Sequence, residues 1–364
     1  MRKRDSLRCP EKDRELKREV SFYKKRFRFS EWISEKVIRS VAFLSIAFVI
    51  LIFVFVFRES APIFRIDSME KPSGEVLVQE VYGAGDAGSV IATTESNDNT
   101  GSHTDVQAPA GRPSSSLLSE SWMPVSDNPR YGLLPLFLGT FKVTLIALLF
   151  AAPVSVLAAI YTSMFATPRL REIIKPVIEL LAGFPSVVIG FFALMIMATF
   201  LQNIFGYTTR LNSFVGGVAM ALTAIPIIYT LTEDALTAIP KTYVEASLGL
   251  GASIRQTAFS VVLPAATPGI FAAVLLGTGR VFGETMIALM ATGNAALVTA
   301  SPFDSVRTLS ATIGAEMAEV VFGDIHYSVL FLIGSLLFIF SFLLNAVAEF
   351  YLKNAVLRRF QAKK

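Results

Sequence analysis

Histidine and cysteine are almost missing from this chain: His103, His326 and Cys9 are the whole supply in 364 residues. A single thiol excludes an internal disulfide and any cysteine metal site. Two histidines far apart in sequence do not suggest a metal cluster, and each reads as structural or solvated. Motifs of catalysis are missing too. There is no Gly-x-x-x-x-Gly-Lys-[Ser/Thr] phosphate loop, no Gly-x-Ser-x-Gly elbow and no His-Glu-x-x-His helix. The chain therefore carries no nucleotide-binding sequence of its own, and any energy it uses comes from a partner. Charge is scarce as well, at 17% Asp, Glu, Lys and Arg, against about 25% in a soluble domain.

What replaces charge is hydrophobicity: 53% of the residues are apolar. Runs long enough to cross about 30 Å of hydrocarbon are expected near 38–57, 137–161, 177–201, 211–232, 265–292 and 327–348. Such segments must be helical, because an open strand leaves backbone groups unpaired in lipid. The first forty residues hold fourteen Lys or Arg, and the far end carries Lys353, Arg358, Arg359, Lys363 and Lys364. Both ends are expected in the cytoplasm. Six spans then place Arg169, Arg171 and Lys175 inside and the acid-rich segment 58–134 outside. The net charge of +4 is a topology signal and does not point to nucleic acid. The first apolar run is of span length and lacks a small-residue cleavage pattern, so it is expected to stay attached.

The outside segment changes character over residues 84–116, which are rich in Gly, Ser, Thr, Asn, Asp and Pro. Too little apolar surface is available there to offset the entropy of ordering. A mobile loop is expected, a small folded domain being the alternative. The flanking pieces, Glu75 to Tyr82 and Trp122 to Val125, are expected to make short ordered patches. Deleting 84–116 should leave assembly and transport intact, measured as membrane abundance and substrate uptake. Loss of docking by an external partner upon deletion would mark the insert as a recognition element instead.

Between the fourth and fifth spans a polar loop reads Tyr243-Val244-Glu245-Ala246-Ser247-Leu248-Gly249-Leu250-Gly251 and runs on to Leu263-Pro264. Pro240 is placed to open a helix. Val244, Leu248 and Ala252 recur every four residues, and Gly249 and Gly251 permit a tight turn. A second amphipathic piece is expected to run through Ile254, Ala258 and Val261-Val262 toward Pro264. Two short helices set across a glycine would make a knob that another subunit can push. The plainer alternative is a helical connector.

Two charges fall within the fifth apolar run. Arg280 and Glu284 lie near its middle, where a charge costs about 2.5–3.5 kcal/mol even on lenient scales. Four-residue spacing puts them on one helical face. They are either a self-neutralising pair or the wall of an anion pathway, since a guanidinium offers a planar fork of donors suited to an oxyanion. In the third run, Gly183-Phe184-Pro185-Ser186 interrupts the helix. Ser186 is a candidate pathway hydroxyl, a simple proline kink being the alternative. Gly183, Gly190, Gly277, Gly279 and Gly283 are expected to allow close helix contacts rather than to bind ligand.

The glutamate, glycine and Leu-Pro spacing of the polar loop resembles the EAA loop of ABC importer permeases. Four stretches sharpen the likeness to the phosphate-specific transport (Pst) permeases, and to their PstC type. They are Phe57-Arg58-Glu59-Ser60-Ala61-Pro62, the run from Glu179 through Pro185-Ser186 to Gly190, the EAA-like loop, and Gly279-Arg280-Val281-Phe282-Gly283-Glu284-Thr285-Met286 leading to Thr292-Gly293-Asn294. Residues 66–130 depart from the family pattern. The resemblance implies an all-α membrane protein of six transmembrane helices with the type I importer (MetI-like) architecture. It implies a basic tail over 1–37, a first span at 38–57, an external loop at 58–134, a permease core at 135–350 and a basic tail over 351–364. It further implies Glu245, Ala246, Ser247, Gly251, Leu263 and Pro264 as the ATPase-coupling residues, within a loop at about 240–264, and Arg280, Glu284, Thr285 and Ser186 as the substrate pathway. The implied function is phosphate import across a bacterial inner membrane by a chain that binds no cofactor. The implied partners are a PstA-like second permease, two PstB-like ATPases that hydrolyse ATP, a PstS-like external binding protein and membrane lipid. A permease for sulfate, molybdate or tungstate, or an ion-coupled secondary transporter, are the alternatives.

Overall fold

The computed structural model describes residues 29–65, 117–126 and 129–361. The expectations for Cys9, His103, the patch at Glu75–Tyr82, the 84–116 insert and most of the basic N-terminal tail lie outside the described residues. By its internal contacts the chain divides into Met1–Phe55 and Val56–Lys364. Within the first unit the described residues belong to one helix, which opens at Phe29 and runs on to Ser60.

Among the described residues six helices are long and apolar enough to cross a membrane: Glu35–Ser60, Leu134–Phe165, Ser186–Phe205, Ser213–Thr237, Ile254–Phe282 and Ile325–Tyr351. Two of the expected runs are redrawn. The third was expected at 177–201 with a proline break inside it. Instead an amphipathic helix, Pro168–Gly183, precedes the break, and the third span begins only at Ser186. Phe184 is extended, with ψ 129, as a residue before proline prefers, and Pro185 then caps the next helix. The proline is thus a boundary between two helices and not a kink within one.

The fifth run was expected to be one helix over 265–292. The helix starts earlier, at Ile254, and ends at Phe282, and a separate short helix, Met286–Ala291, follows after Gly283-Glu284-Thr285. Glycine favours such an exit because it is a weak helix former. The carbonyl of Glu284, freed by the break, accepts a hydrogen bond from the Ser310 hydroxyl at 2.7 Å, which meets the requirement that buried backbone groups be paired. The second half of the polar loop is not separate from the fifth span either. A π-helical turn, Ala258–Val262, leads straight into Leu263–Phe282, and Pro264, which has no amide to donate, follows directly on that wider turn.

Within Val56–Lys364 the spans pack through small residues, as helices in lipid do. Gly217 on the fourth span sits against Val143 and Ile146 of the second. Farther along the same pair, Ser155 Oγ donates to the Ile225 carbonyl at 3.1 Å and Tyr229 Oη to Thr162 Oγ1 at 3.0 Å. The fifth span lies against the fourth, Gly269 meeting Ala235 and Gly277 meeting Ile228. The sixth lies against the fifth, with Phe282 and Phe340 stacked at 4.0 Å and Phe271 and Tyr351 in tilted contact at 4.7 Å. Of the five glycines expected to allow close contacts, Gly190 and Gly277 do so, whereas a Cβ on Gly183 would touch nothing.

On the face bearing the 117–133 and 283–324 segments, Trp122–Met123 pairs antiparallel with Arg130–Tyr131. This small hairpin, the ordered patch expected at Trp122, packs with Ile63, Leu136, Leu309 and Leu330. The sixth helix continues past its apolar portion to Gln361, so the expected C-terminal tail is largely helical.

Candidate functional site

Contacts along the fifth span fix the depth of its charges. Gly277 is level with Ile228, and Val281 and Glu284 share a recess with Met220. Ile228 and Met220 bracket the middle of Ser213–Thr237, so Arg280 and Glu284 lie at mid-depth in the bundle even though the helix breaks between them. Their environments differ sharply: the Arg280 side chain is 53% exposed and that of Glu284 is 5% exposed. Arg280 Nη2 stands 3.9 Å from Glu284 Oε2, a charge contact too long for a hydrogen bond. The guanidinium thus keeps its donors while feeling the carboxylate.

The Glu284 recess is lined by Thr140, Thr144, Thr308, Ser310 and Phe282, among others. Sequence reading singled out none of these hydroxyls. Thr140 and Thr144 stand four apart in a largely apolar span, a signal that was available but weak. Thr140 Oγ1 donates to the Leu136 carbonyl at 2.7 Å and accepts the Leu309 amide at 2.9 Å, so it joins the second span to the helix Leu309–Glu316. Thr285 is half-buried beside Glu284, its methyl against Gly314. Ser186, by contrast, lies outside this recess, in the first turn of the third span. Its helix reaches the site indirectly, through Gly190, which is packed on Met286 and Met290.

A second charged cluster was not anticipated. Glu316 Oε1 accepts from Arg307 Nη1 at 2.6 Å and from Trp122 Nε1 at 3.0 Å, and its Oε2 is 2.9 Å from His326 Nε2. Arg307 Nε also donates to Asn294 at 3.1 Å, where the backbone turns with φ 53. One carboxylate therefore ties the hairpin, the segment after the break and the start of the sixth span together. Burial pushes the Glu316 carboxyl up, but the bonds from His326 and Trp122 and the charge of Arg307 outweigh it, and it titrates below the ordinary 4.5. A depressed carboxylate contributes stability above its unfolded value and loses it as pH falls through the folded one. In a Trp32→Phe background, Trp122 fluorescence should therefore hold constant from neutral pH to about 4.5 and change only below it. Glu316→Gln should abolish that acid transition and lower stability by about 1–3 kcal/mol.

On the opposite face, the polar loop forms the helix Lys241–Gly249, turns at Gly251 with φ +89, and restarts with Ser253 and Gln256 bonded reciprocally at 3.2 and 2.9 Å. Val244 faces the core formed with Tyr229, Leu236 and Val262. Glu245 and Ala246 are exposed, as are Tyr243 and Leu250, the last by 89%. Ser247 points inward, its Oγ 3.0 Å from Thr257 Oγ1. Leu263 and Pro264 belong to the fifth helix itself. Beside this loop the helix Pro168–Gly183 is stapled down. Arg171 donates to the Thr162 and Ser163 carbonyls at 2.7–2.9 Å, and Lys175 Nζ reaches the buried Glu233 at 2.8 Å. The hydrogen bond to Glu233 holds the Lys175 ammonium above its ordinary range. Two of the three cations expected only as a topology signal therefore have structural partners.

Residues 151–354 match the family model described as "Binding-protein-dependent transport system inner membrane component". Among curated proteins, the probable ABC transporter permease protein YqgH of Bacillus subtilis is 36% identical over 227 residues, 62% of this chain and 74% of that one. The phosphate transport system permease protein PstC of Mesorhizobium japonicum is 34% identical over 255 residues, 65% of this chain and 77% of that one. Among solved structures, a chain of the inward-facing MetNI methionine ABC transporter aligns at 21% identity and a TM-score of 0.46, covering 62% of this chain and 94% of that one.

Proposed function

Since this chain belongs to the family of binding-protein-dependent transport system inner membrane components, we propose that it is the permease subunit of an ATP-driven importer and that its substrate is inorganic phosphate. The observation that carries the substrate is Arg280. It is half exposed at mid-depth, where lipid contact would cost several kcal/mol. Its outward face therefore borders water or another subunit, not acyl chains. A guanidinium with uncommitted donors recognises an oxyanion by a two-pronged fit. Buried Glu284 steadies Arg280 when the pathway is empty and weakens its hold on an anion, so that phosphate can leave. The PstC relative supports the choice of phosphate over other oxyanions.

In this reading the exposed surface of Tyr243, Glu245, Ala246 and Leu250 docks on an ATPase subunit, in the cytoplasm together with both chain ends. The helix Lys241–Gly249 passes the push of ATP-driven closure to the fifth span, with which the loop is continuous through Ile254. A second permease completes the pathway, two ATPases hydrolyse the nucleotide, and an external binding protein delivers the anion to the face of the Trp122 hairpin. Thr285 and Ser186 are pathway residues here, Thr285 adjoining Glu284 and Ser186 opening the helix that supports Met286–Ala291.

Uptake of labelled phosphate into vesicles holding the full complex, with and without ATP and each partner, tests this function. ATP-dependent phosphate uptake competed by unlabelled phosphate but not by sulfate or molybdate is expected. Competition by sulfate or molybdate would reassign the substrate, and uptake without ATPase subunits would point to ion coupling.

A further inference from the structure

The sixth span is apolar on its exposed side, where Ile339, Phe342, Leu343 and Phe350 stand outward as lipid requires. One row of it is not. Ser341, Asn345 and Glu349 follow one another at four-residue spacing, and so share a helical face. Asn345 and Glu349 are exposed and Ser341 is half-buried. The row abuts the fifth span at the charged site, because Asn345 Oδ1 lies 3.7 Å from where a Cβ on Gly279 would be, beside Arg280. An amide directed at hydrocarbon leaves its donors and acceptor unpaired, at a cost of a few kcal/mol. An amide next to an outward-facing arginine at the same depth has water or an anion to bond instead.

We infer that Asn345 lines the anion pathway with Arg280 and donates a hydrogen bond from its amide to the tetrahedral oxyanion, with Ser341 and Glu349 extending the same wet wall along the sixth span. The inference rests on the phosphate-pathway reading and adds to it a neutral donor. An amide recognises an oxyanion without raising the positive charge that would trap it. Asn345 meets the fifth span at Gly279, the residue before Arg280, so in this arrangement the two would grip a ligand from separate helices. Any rotation of the sixth span against the fifth would change the distance between them and so the affinity.

The lone native cysteine, Cys9, is replaced by serine, and Asn345→Cys, Arg280→Cys and Leu343→Cys are made separately in the full complex. Each is treated in membranes with a charged, impermeant methanethiosulfonate, which reacts only where water reaches. Asn345→Cys and Arg280→Cys should label, Leu343→Cys should not, and phosphate should slow labelling of Asn345→Cys at least severalfold. In uptake, Asn345→Leu should lower the apparent phosphate affinity by roughly tenfold, with Asn345→Gln recovering part of it. Labelling at Arg280→Cys but not at Asn345→Cys, or full uptake by Asn345→Leu, would overturn the role of Asn345 and leave the pathway at Arg280 standing. Labelling at neither position would overturn the pathway reading itself.

Discussion

Arg280→Lys should lower phosphate uptake by roughly ten- to a hundredfold with membrane abundance unchanged. Lysine keeps the charge but presents a point donor in place of a planar fork. Charge-assisted hydrogen bonds are worth about 1.5–3 kcal/mol, and every 1.4 kcal/mol is a factor of about ten. The competing view, that Arg280 and Glu284 merely neutralise each other, makes the opposite forecast. At 3.9 Å the pair has no hydrogen bond to lose, so lysine should then be tolerated. Removing both charges together, Arg280→Leu with Glu284→Leu, should then restore an assembled and partly active subunit, because replacing an ion pair by apolar groups is often neutral or stabilising. Uptake and abundance measured for both variants separate the two. An active double-leucine permease would remove Arg280 from contact with the anion. The asymmetric exposure of 53% against 5% already favours the pathway, since a self-sufficient pair has no reason to turn its arginine outward.

Disturbing the polar loop should be as damaging by a different route. Gly251 has φ +89, and a Cβ there would meet no atom within 4 Å. Nothing inside the chain resists a larger side chain; only the backbone conformation does, at a cost of about 1–2 kcal/mol for an ordinary L-residue. Gly251→Val should therefore re-aim Lys241–Gly249 and cut ATP-dependent uptake more than tenfold while the subunit remains inserted. Gly251→Asn, which tolerates left-handed backbone, should keep most of it. Glu245→Lys reverses an exposed charge on the surface proposed to dock the ATPase and should uncouple ATP hydrolysis from uptake without changing abundance. Normal uptake by Gly251→Val would show that the loop is a passive connector. Equal damage from valine and asparagine would place the defect in bulk against the ATPase surface instead of in the turn.

Much of this architecture was legible from local chemistry. Six apolar runs predict six spans because hydropathy is additive over neighbouring residues and the bilayer demands a minimum length. The glutamate, glycine and Leu-Pro spacing marked the polar loop, since Gly251 needs a conformation other residues avoid. Arg280 and Glu284 stood out because charge within an apolar run is costly wherever the helix begins and ends. The same reasoning misplaced boundaries. The break at Pro185 was placed inside the third span because hydropathy over 177–201 does not separate the end of an amphipathic helix from the start of an apolar one. The fifth span read as beginning after Pro264, although the helix passes that proline where a π-helical turn precedes it.

What tertiary structure alone decided is where the fifth helix breaks and which charge faces out. The break is held by Ser310, 26 residues away, bonding the carbonyl of Glu284, and no window of local sequence contains both. Glu316 likewise gathers Trp122 from 194 residues away, and the hydroxyls of the Glu284 recess come from helices on either side of the polar loop. Composition and spacing determine that this chain crosses a membrane, carries a polar loop between its fourth and fifth spans and sets two charges within an apolar run. The outward turn of Arg280 and the inward turn of Glu284 follow only from packing, because the side of a broken helix that meets a neighbour is set by contacts distant in sequence.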